Sequence, residues 1–450
     1  MLTIVFAAVV AAAPPPPPKS FEALVDAPVH FEGRWMIPLP KKLPRRALRY
    51  QTSPLNRGEV LKLPWVHQPG KTDSGQRMPW GVLLGEMLFH APRMIGALNV
   101  RMGVSCHHCH PNGATNPEVF TEHSYMVPGR IDLSTSYFSE QGDDGILDAH
   151  VVPTLRGIRY TAPYQVDGRV ASLREQTRRV IVGEFNTPEP PPYLIDALVM
   201  FLEQLDPLPN PNLGPNNLLT DRAGADAKRG ERAFFEPRAK LGGRSCASCH
   251  IPEDGFTDGR RHPLGSQREP YDTPTLLGLL NTPPYFHDAR APTIEAAVAE
   301  VDRLFGLKLS AKEITDLVAY LKAIGAEEDP WEPDSWAVRA EVPLTFLDLT
   351  QEGPYVDDPI VWKLTLETIT FELTGLGLPN ERDESLKRAW DSWTALAEGA
   401  RARGPNPDDR QRLAKARAEL RRALKEAEAP KAKPGPSQGT VTRSSLPSGR

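Results

Sequence analysis

All four cysteines of the 450-residue chain stand in two copies of one pattern, Cys106-His107-His108-Cys109-His110 and Cys246-Ala247-Ser248-Cys249-His250. Two thiols three residues apart on a turn can each form a thioether with one of the two vinyl groups on an edge of a haem. The histidine that follows at once then lies beneath the ring and reaches the iron as proximal ligand. On this reading Cys106, Cys109 and His110 hold haem 1, and Cys246, Cys249 and His250 hold haem 2, with His110 and His250 as the metal ligands. Two other chemistries use paired cysteines. A zinc ribbon spaces its pairs roughly 15–20 residues apart, far closer than these. A redox dithiol has no need of a histidine at the next position, and here one occurs twice. The cofactors expected are two covalently bound c-type haems.

The surroundings of the two clusters repeat as well. Gly85-Glu86-Met87-Leu88-Phe89 precedes the first and Gly230-Glu231-Arg232-Ala233-Phe234 the second. After each comes a second motif, Pro153-Thr154-Leu155-Arg156-Gly157 with Thr161-Ala162-Pro163-Tyr164 and Asp167-Gly168-Arg169, then Pro274-Thr275-Leu276-Leu277-Gly278 with Thr282-Pro283-Pro284-Tyr285 and Asp288-Ala289-Arg290. This later motif keeps a constant offset of 121 residues, from 153 to 274 and from 169 to 290. Two matches in the same order mean a duplicated unit.

With these residues on the page, the chain resembles the bacterial dihaem cytochrome c peroxidases and their MauG-type relatives over about residues 80 to 325. Phe256-Thr257-Asp258 with His262, and Thr282-Pro283-Pro284-Tyr285-Phe286-His287-Asp288, are similar to the family's pattern. The resemblance implies one haem, expected to be haem 1, open to hydrogen peroxide and another that relays electrons from a small cytochrome or cupredoxin. It also implies calcium between the domains. Peroxide cleavage needs a group that moves a proton between the two oxygens and hydrogen bonds to the developing charge. In Val166 to Gln176 the family's distal glutamine falls on Gln176, and its glutamate is nearest Glu184, two residues out of register. Arg156, Arg169 and Arg290 are the expected partners of the haem propionates. Non-catalytic electron transfer, and MauG-type oxidation of a partner protein or organic substrate, are the alternatives.

The axial ligands depart from the family. Its relay haem carries a methionine or a tyrosine opposite the histidine; that position is Val301 here, and Val180 is its counterpart in the first copy. No methionine follows Met200, so haem 2 has no methionine ligand from its own domain. His287 and His262 are the imidazoles near haem 2; His123, Met126, Met102 and His108 lie near haem 1. Bis-histidine or open iron would have a lower potential than a His/Met pair.

The elements that must position these groups read as helices. Ser172 with Glu175 predicts a capping box opening a helix from Leu173 to Ile181, and Ser310 with Glu313 another, with Ile314, Leu317, Val318 and Leu321 on one face. Leu194, Leu198, Phe201 and Leu202 give the matching stripe in the first copy. Pro207 to Pro215 reads as a linker. Beyond Gly325, residues 338–349 and 361–373 look strand-like, and two amphipathic helices follow, marked by Leu386, Trp390 and Trp393 and by Leu413, Leu420 and Leu424. The fold class expected is mainly α: two tandem c-type cytochrome domains, 81–206 and 207–326, between an irregular N-terminal extension, 20–80, weakly strand-like at His30–Pro38 and Val60–Val66, and a small C-terminal α+β extension, 327–428. Residues 429–450 read as a disordered tail.

Bulk properties narrow the setting. A net charge of −4 and a pI near 6.3 argue against nucleic acid as a partner. Forty-seven prolines imply much irregular backbone. Met1–Ala13 is an apolar run of secretory length, followed by a polyproline spacer, so residues 1–19 read as a signal or anchor and the expected compartment is the periplasm. A second copy of the chain is a further expected partner.

Overall fold

The computed structural model describes residues 18–428 apart from 29, 32, 50–69, 72–76, 120–127, 137, 139–144, 147, 266–269 and 378–382. Met1–Ala13, the strand-like Val60–Val66, the tail 429–450, His123 and Met126 therefore lie outside the described residues. Helices carry the architecture. The strands among the described residues form three short antiparallel pairs: Gly70–Lys71 with Arg77–Met78, Arg130–Ile131 with His150–Val151, and Arg261–Pro263 with Pro270–Asp272. His30–Pro38 contains no strand among its described residues.

Each copy of the repeat is built on a close helix pair. Trp80–His90 packs on Pro192–Leu202, and Ala225–Phe235 packs on Ala311–Ile324. The recurring glycine explains the closeness. A Cβ on Gly85 would stand 1.9 Å from the Ala197 carbonyl oxygen, and one on Gly230 would stand 1.9 Å from that of Asp316. Only a residue without a side chain allows backbone to cross backbone at this distance.

Capping residues set the boundaries. Ser310 and Glu313 form the full reciprocal box at the start of Ala311–Ile324. Ser172 accepts from the Glu175 amide, but the Glu175 carboxylate turns to Arg179 instead. That helix is α over Leu173–Arg178 and widens into a π turn over Arg179–Glu184, which contains the expected end at Ile181 and runs three residues past it. The linker is pinned at Asn210, whose amide donates to the Ala323 and Ile324 carbonyls at 2.9 and 3.0 Å.

The C-terminal extension corrects the strand expectation. Residues 338–349 fall on the helices Trp336–Thr345 and Asp348–Gln351, and 361–373 fall inside the helix Pro359–Gly375. The β-branched residues of 361–373 suggested a strand, yet this helix is buried on most of its circumference, including Val361, Trp362, Leu366, Ile369, Phe371 and Leu373. Burial on several sides removes the polar stripe by which a helix is recognised. The true signal is its start: Asp358 accepts from the Ile360 and Val361 amides, and Pro359 takes the first helical position. Glu384–Arg403 and Pro407–Glu428 are the two amphipathic helices that complete the extension.

These C-terminal helices share one apolar core with the first copy. Leu83, Leu84, Met87, Leu198 and Phe201 join Trp362, Leu366, Trp393 and Leu420 in a single cluster. The second copy keeps a separate core around Phe234, Phe256, Val298, Leu317 and Tyr320. The copies meet through matched main-chain bonds. The Val151 amide donates to the His287 carbonyl at 2.8 Å, and the Asp272 amide donates to the Val166 carbonyl at 3.0 Å. Each is the other shifted by the repeat offset, so the copies face each other about a pseudo-twofold axis.

Candidate haem-binding sites

The first cluster forms one turn, Cys106–Cys109, opened by Ser105 and closed where the His110 amide donates to the Cys106 carbonyl at 2.8 Å. The His110 ring then meets the Pro153 carbonyl, Nδ1 to oxygen 2.9 Å. A carbonyl can only accept, so Nδ1 carries the proton and Nε2 presents its lone pair. Burial lowers the His110 pKa to about 4, against the opposing pull of that carbonyl. The ring stays neutral, which is the form that binds a metal. The second cluster repeats the device. The His250 amide donates to the Cys246 carbonyl at 3.0 Å, and its Nδ1 lies 3.0 Å from the Phe256 carbonyl. Burial again lowers the ring's pKa. Phe256 holds that carbonyl from a left-handed conformation, φ 64°, fixed by complete burial of its side chain.

The donor set fits a covalent haem. All four thiols are unpaired and half-buried. Burial pushes Cys106 and Cys109 up to about 12 and raises Cys246 and Cys249, which keeps them protonated. Cys106 and Cys109 border an apolar cluster of Ile95, Val104, Ile131, Val152 and Phe185, together with half-buried Met102 and Val180. Cys246 borders the second core beside Leu277 and Tyr285. Each cluster thus offers two free thiols, a neutral imidazole aimed through Nε2, and an apolar wall for the ring face.

The two clusters differ in exposure. Residues 104–116 are buried or half-buried, whereas Gly242, Gly243, Arg244 and Ser248 are exposed around the second cluster. The cover over the first comes from both extensions. His107 and His108, between its cysteines, point into that cover. His108 meets the Trp35 ring at 4.7 Å and the Phe371 ring at 5.5 Å, and His107 stacks on His90 at 3.9 Å. His90 in turn contacts the Glu372 carboxylate at 3.0 Å. A cavity of about 610 Å³ opens beside these rings, lined also by Arg46, Arg339 and Glu341. His108 accepts from Ser105 through Nδ1, and burial followed by the charge of His90 lowers it to about 3. The sequence offered no signal for this cluster, because its partners come from positions 35, 90 and 371–372.

The remaining expected residues are scattered. Gln176 is half-buried, and its Oε1 accepts from Gln165 Nε2 at 3.0 Å. Gln165 is itself in a left-handed conformation, φ 72°, and takes a long bond, 3.5 Å, from Arg169. Gln176 and Arg169 are therefore joined through a residue that the sequence reading passed over. Glu184 ends the π turn, half-buried. Arg156 stands apart, buried, with its guanidinium on Glu327 at 3.2 Å and on the Arg45 carbonyl. Arg290 holds Asp288 at 2.8 Å and Glu300 at 3.4 Å. Val180 and Val301 are half-buried, and neither side chain has a donor for iron. The ligand atoms of Cys249, Asp258 and His262 lie within 4.8 Å of one another, a grouping with one carboxylate and a thiol, unlike the oxygen shell that calcium takes.

Comparison with known proteins shows what the chain is similar to. Residues 225–320 match the family model for di-haem cytochrome c peroxidase. The second copy of the repeat thus matches that family's model, and the chain is similar to peroxidase and MauG relatives of the same kind. Among curated relatives of wider similarity, the hydrazine synthase subunit gamma of Kuenenia stuttgartiensis is 24% identical over 338 residues, 60% of this chain and 84% of that protein. A solved structure of that hydrazine synthase aligns with a TM-score of 0.42 at 23% identity, over 60% of this chain and 95% of the other. The cytochrome c551 peroxidase of Nitrosomonas europaea is 22% identical over 291 residues, 54% of this chain and 80% of that one. The MauG of Methylophilus methylotrophus is 36% identical over 72 residues, 15% and 22% of the two chains. The dihaem peroxidase family is one of oxidoreductases. Among the described residues no helix is long and apolar enough to cross a membrane.

Proposed function

We propose that the chain is an exported dihaem c-type cytochrome that reduces hydrogen peroxide at haem 1 with electrons relayed through haem 2. The observation that carries it is the histidine after each cysteine pair, held at Nδ1 by a carbonyl beside two free thiols in each copy of the repeat. When bound, the haems would supply iron that takes up electrons singly and an open coordination position for peroxide. His110 and His250 would hold the irons, their ring planes fixed by their carbonyl partners. The second cluster, exposed at Gly242–Arg244, suits entry of electrons from a small cytochrome or cupredoxin. The first, enclosed by both extensions, suits chemistry that must exclude water.

Gln176, oriented by Gln165, would hydrogen-bond peroxide, and Glu184 would move its proton. Arg169, half-exposed and 3.5 Å from Asp167, would turn toward a propionate, and Arg156 and Arg290 would do so by sharing their carboxylate partners. A second reading, non-catalytic electron transfer, is favoured by one observation: no methionine follows Met200, so the second copy offers haem 2 no methionine ligand.

Absorption and electron paramagnetic resonance of the half-reduced protein separate the two. The peroxidase reading expects a high-spin signal that peroxide abolishes. Low-spin iron at both sites, unchanged by peroxide, would leave the electron-transfer reading.

A further inference from the structure

Outside the cysteine clusters, three rings drawn from both copies lie in a row. Tyr271 and His287 are stacked, with centroids 4.2 Å apart and planes within 18° of parallel. His150 follows, its centroid 5.9 Å from that of His287 and its plane tilted by 36°. The two end rings occupy equivalent places. His150 stands three residues before Pro153, whose carbonyl holds His110; Tyr271 stands three residues before Pro274, whose main chain bonds His250. Tyr271 also faces His262 across the strand pair, and His262 sits 2.6 Å from Asp258 in the group that includes Cys249.

The row thus begins on the loop that seats one proximal histidine and ends on the loop that seats the other. Its middle is clamped, since the His287 carbonyl accepts from Val151, the residue next to His150. The equivalent of His287 in the first copy is Val166, which is 40% exposed and brings no ring to the axis. The middle ring comes from the second copy alone.

We propose that the His150–His287–Tyr271 row is the bridge over which electrons cross between the two haem sites, an inference that rests on the dihaem function proposed above. Electron tunnelling weakens more steeply across an empty gap than through atoms in van der Waals contact, so closely packed rings shorten the costly part of the path. Each crossing would carry one electron from the haem site of His250 to that of His110. Two crossings, with electrons from the external redox protein and two protons from solvent, would reduce one hydrogen peroxide to two waters. The three rings undergo no net oxidation, and no proton need move along the row.

The test uses the full-length protein with both haems attached, mixed rapidly with a reductant under anaerobic conditions and without peroxide. The rate at which the electron redistributes between the haems is read from their absorption. His287→Val, which gives the middle position the side chain of its counterpart, and Tyr271→Leu should each slow redistribution by about tenfold or more, because a gap replaces ring contact. Tyr271→Phe keeps the ring and should stay within about threefold of the unmodified protein. The reduction potentials should not move. An unchanged rate in His287→Val, a Tyr271→Phe variant as slow as Tyr271→Leu, or slowing that comes only with shifted potentials would overturn the bridge. If the unmodified protein ignores peroxide while the variants still slow redistribution, the bridge stands and the peroxidase reading falls.

Discussion

At the scale of single residues, the cysteine clusters were legible because their chemistry is local: two thiols, an imidazole and a spacing. The acceptors that orient the imidazoles were not, since Pro153 lies 43 positions from His110 and only folding brings them to 2.9 Å. Gln176 is the residue most open to test. Its removal as Gln176→Ala should lower peroxide turnover by roughly a hundredfold with haem content intact, measured by steady-state kinetics beside haem absorbance. Asp272 gives a pH prediction. Burial, with the nearby Asp258 charge adding and the Thr273 backbone bond opposing, pushes its carboxyl up to about 7. That value lies above the unfolded one near 4, so the folded state binds the extra proton across this window and stability falls as pH rises from about 4 to 7. Asp272→Asn should therefore melt higher than the unmodified protein at pH 8, by roughly 1 kcal/mol after allowance for partial exposure. At pH 4 the two should melt alike, and equal melting at both values would contradict the assignment.

At the scale of elements, the repeat could be read as letters before it could be read as geometry. The Gly-Glu pair recurs because Gly85 and Gly230 each let one helix lie against the backbone of the next. Gly230→Ala should cost roughly 3 kcal/mol through forced separation of Ala225–Phe235 from Ala311–Ile324, with haem lost preferentially from the second site; calorimetry and haem stoichiometry would show it. Amphipathic helices were found where one face meets water, as in Glu384–Arg403 with buried Leu386, Trp390 and Trp393. The failures came where that contrast vanishes. Pro359–Gly375 is buried against several neighbours at once, and its threonines and isoleucine carry strand propensity that packing overrides. Thr370 and Thr374 return their hydroxyls to the carbonyls of Leu366 and Thr370, which makes β-branched residues tolerable in a helix.

At the scale of the whole molecule, the cores are distributed unevenly. The first copy shares its interior with the C-terminal helices, while the second stands on its own cluster. All eight tryptophans lie outside residues 207–326. Intrinsic fluorescence therefore follows the first copy and its extensions, and the absorbance of haem 2 follows the second. On heating, the two signals should change at different temperatures; a single coincident transition would mean that the clamp at Val151, Asp272, Val166 and His287 welds both cores into one cooperative body. That same clamp has an evolutionary consequence. Reciprocal bonds between matched segments are what two identical subunits make when they associate, and here both partners are encoded in one gene. In an assembly of identical subunits, every mutation at the axis is imposed twice. Once the partners are joined in tandem, valine can be kept on one side and histidine on the other, and an association of equals can become directional.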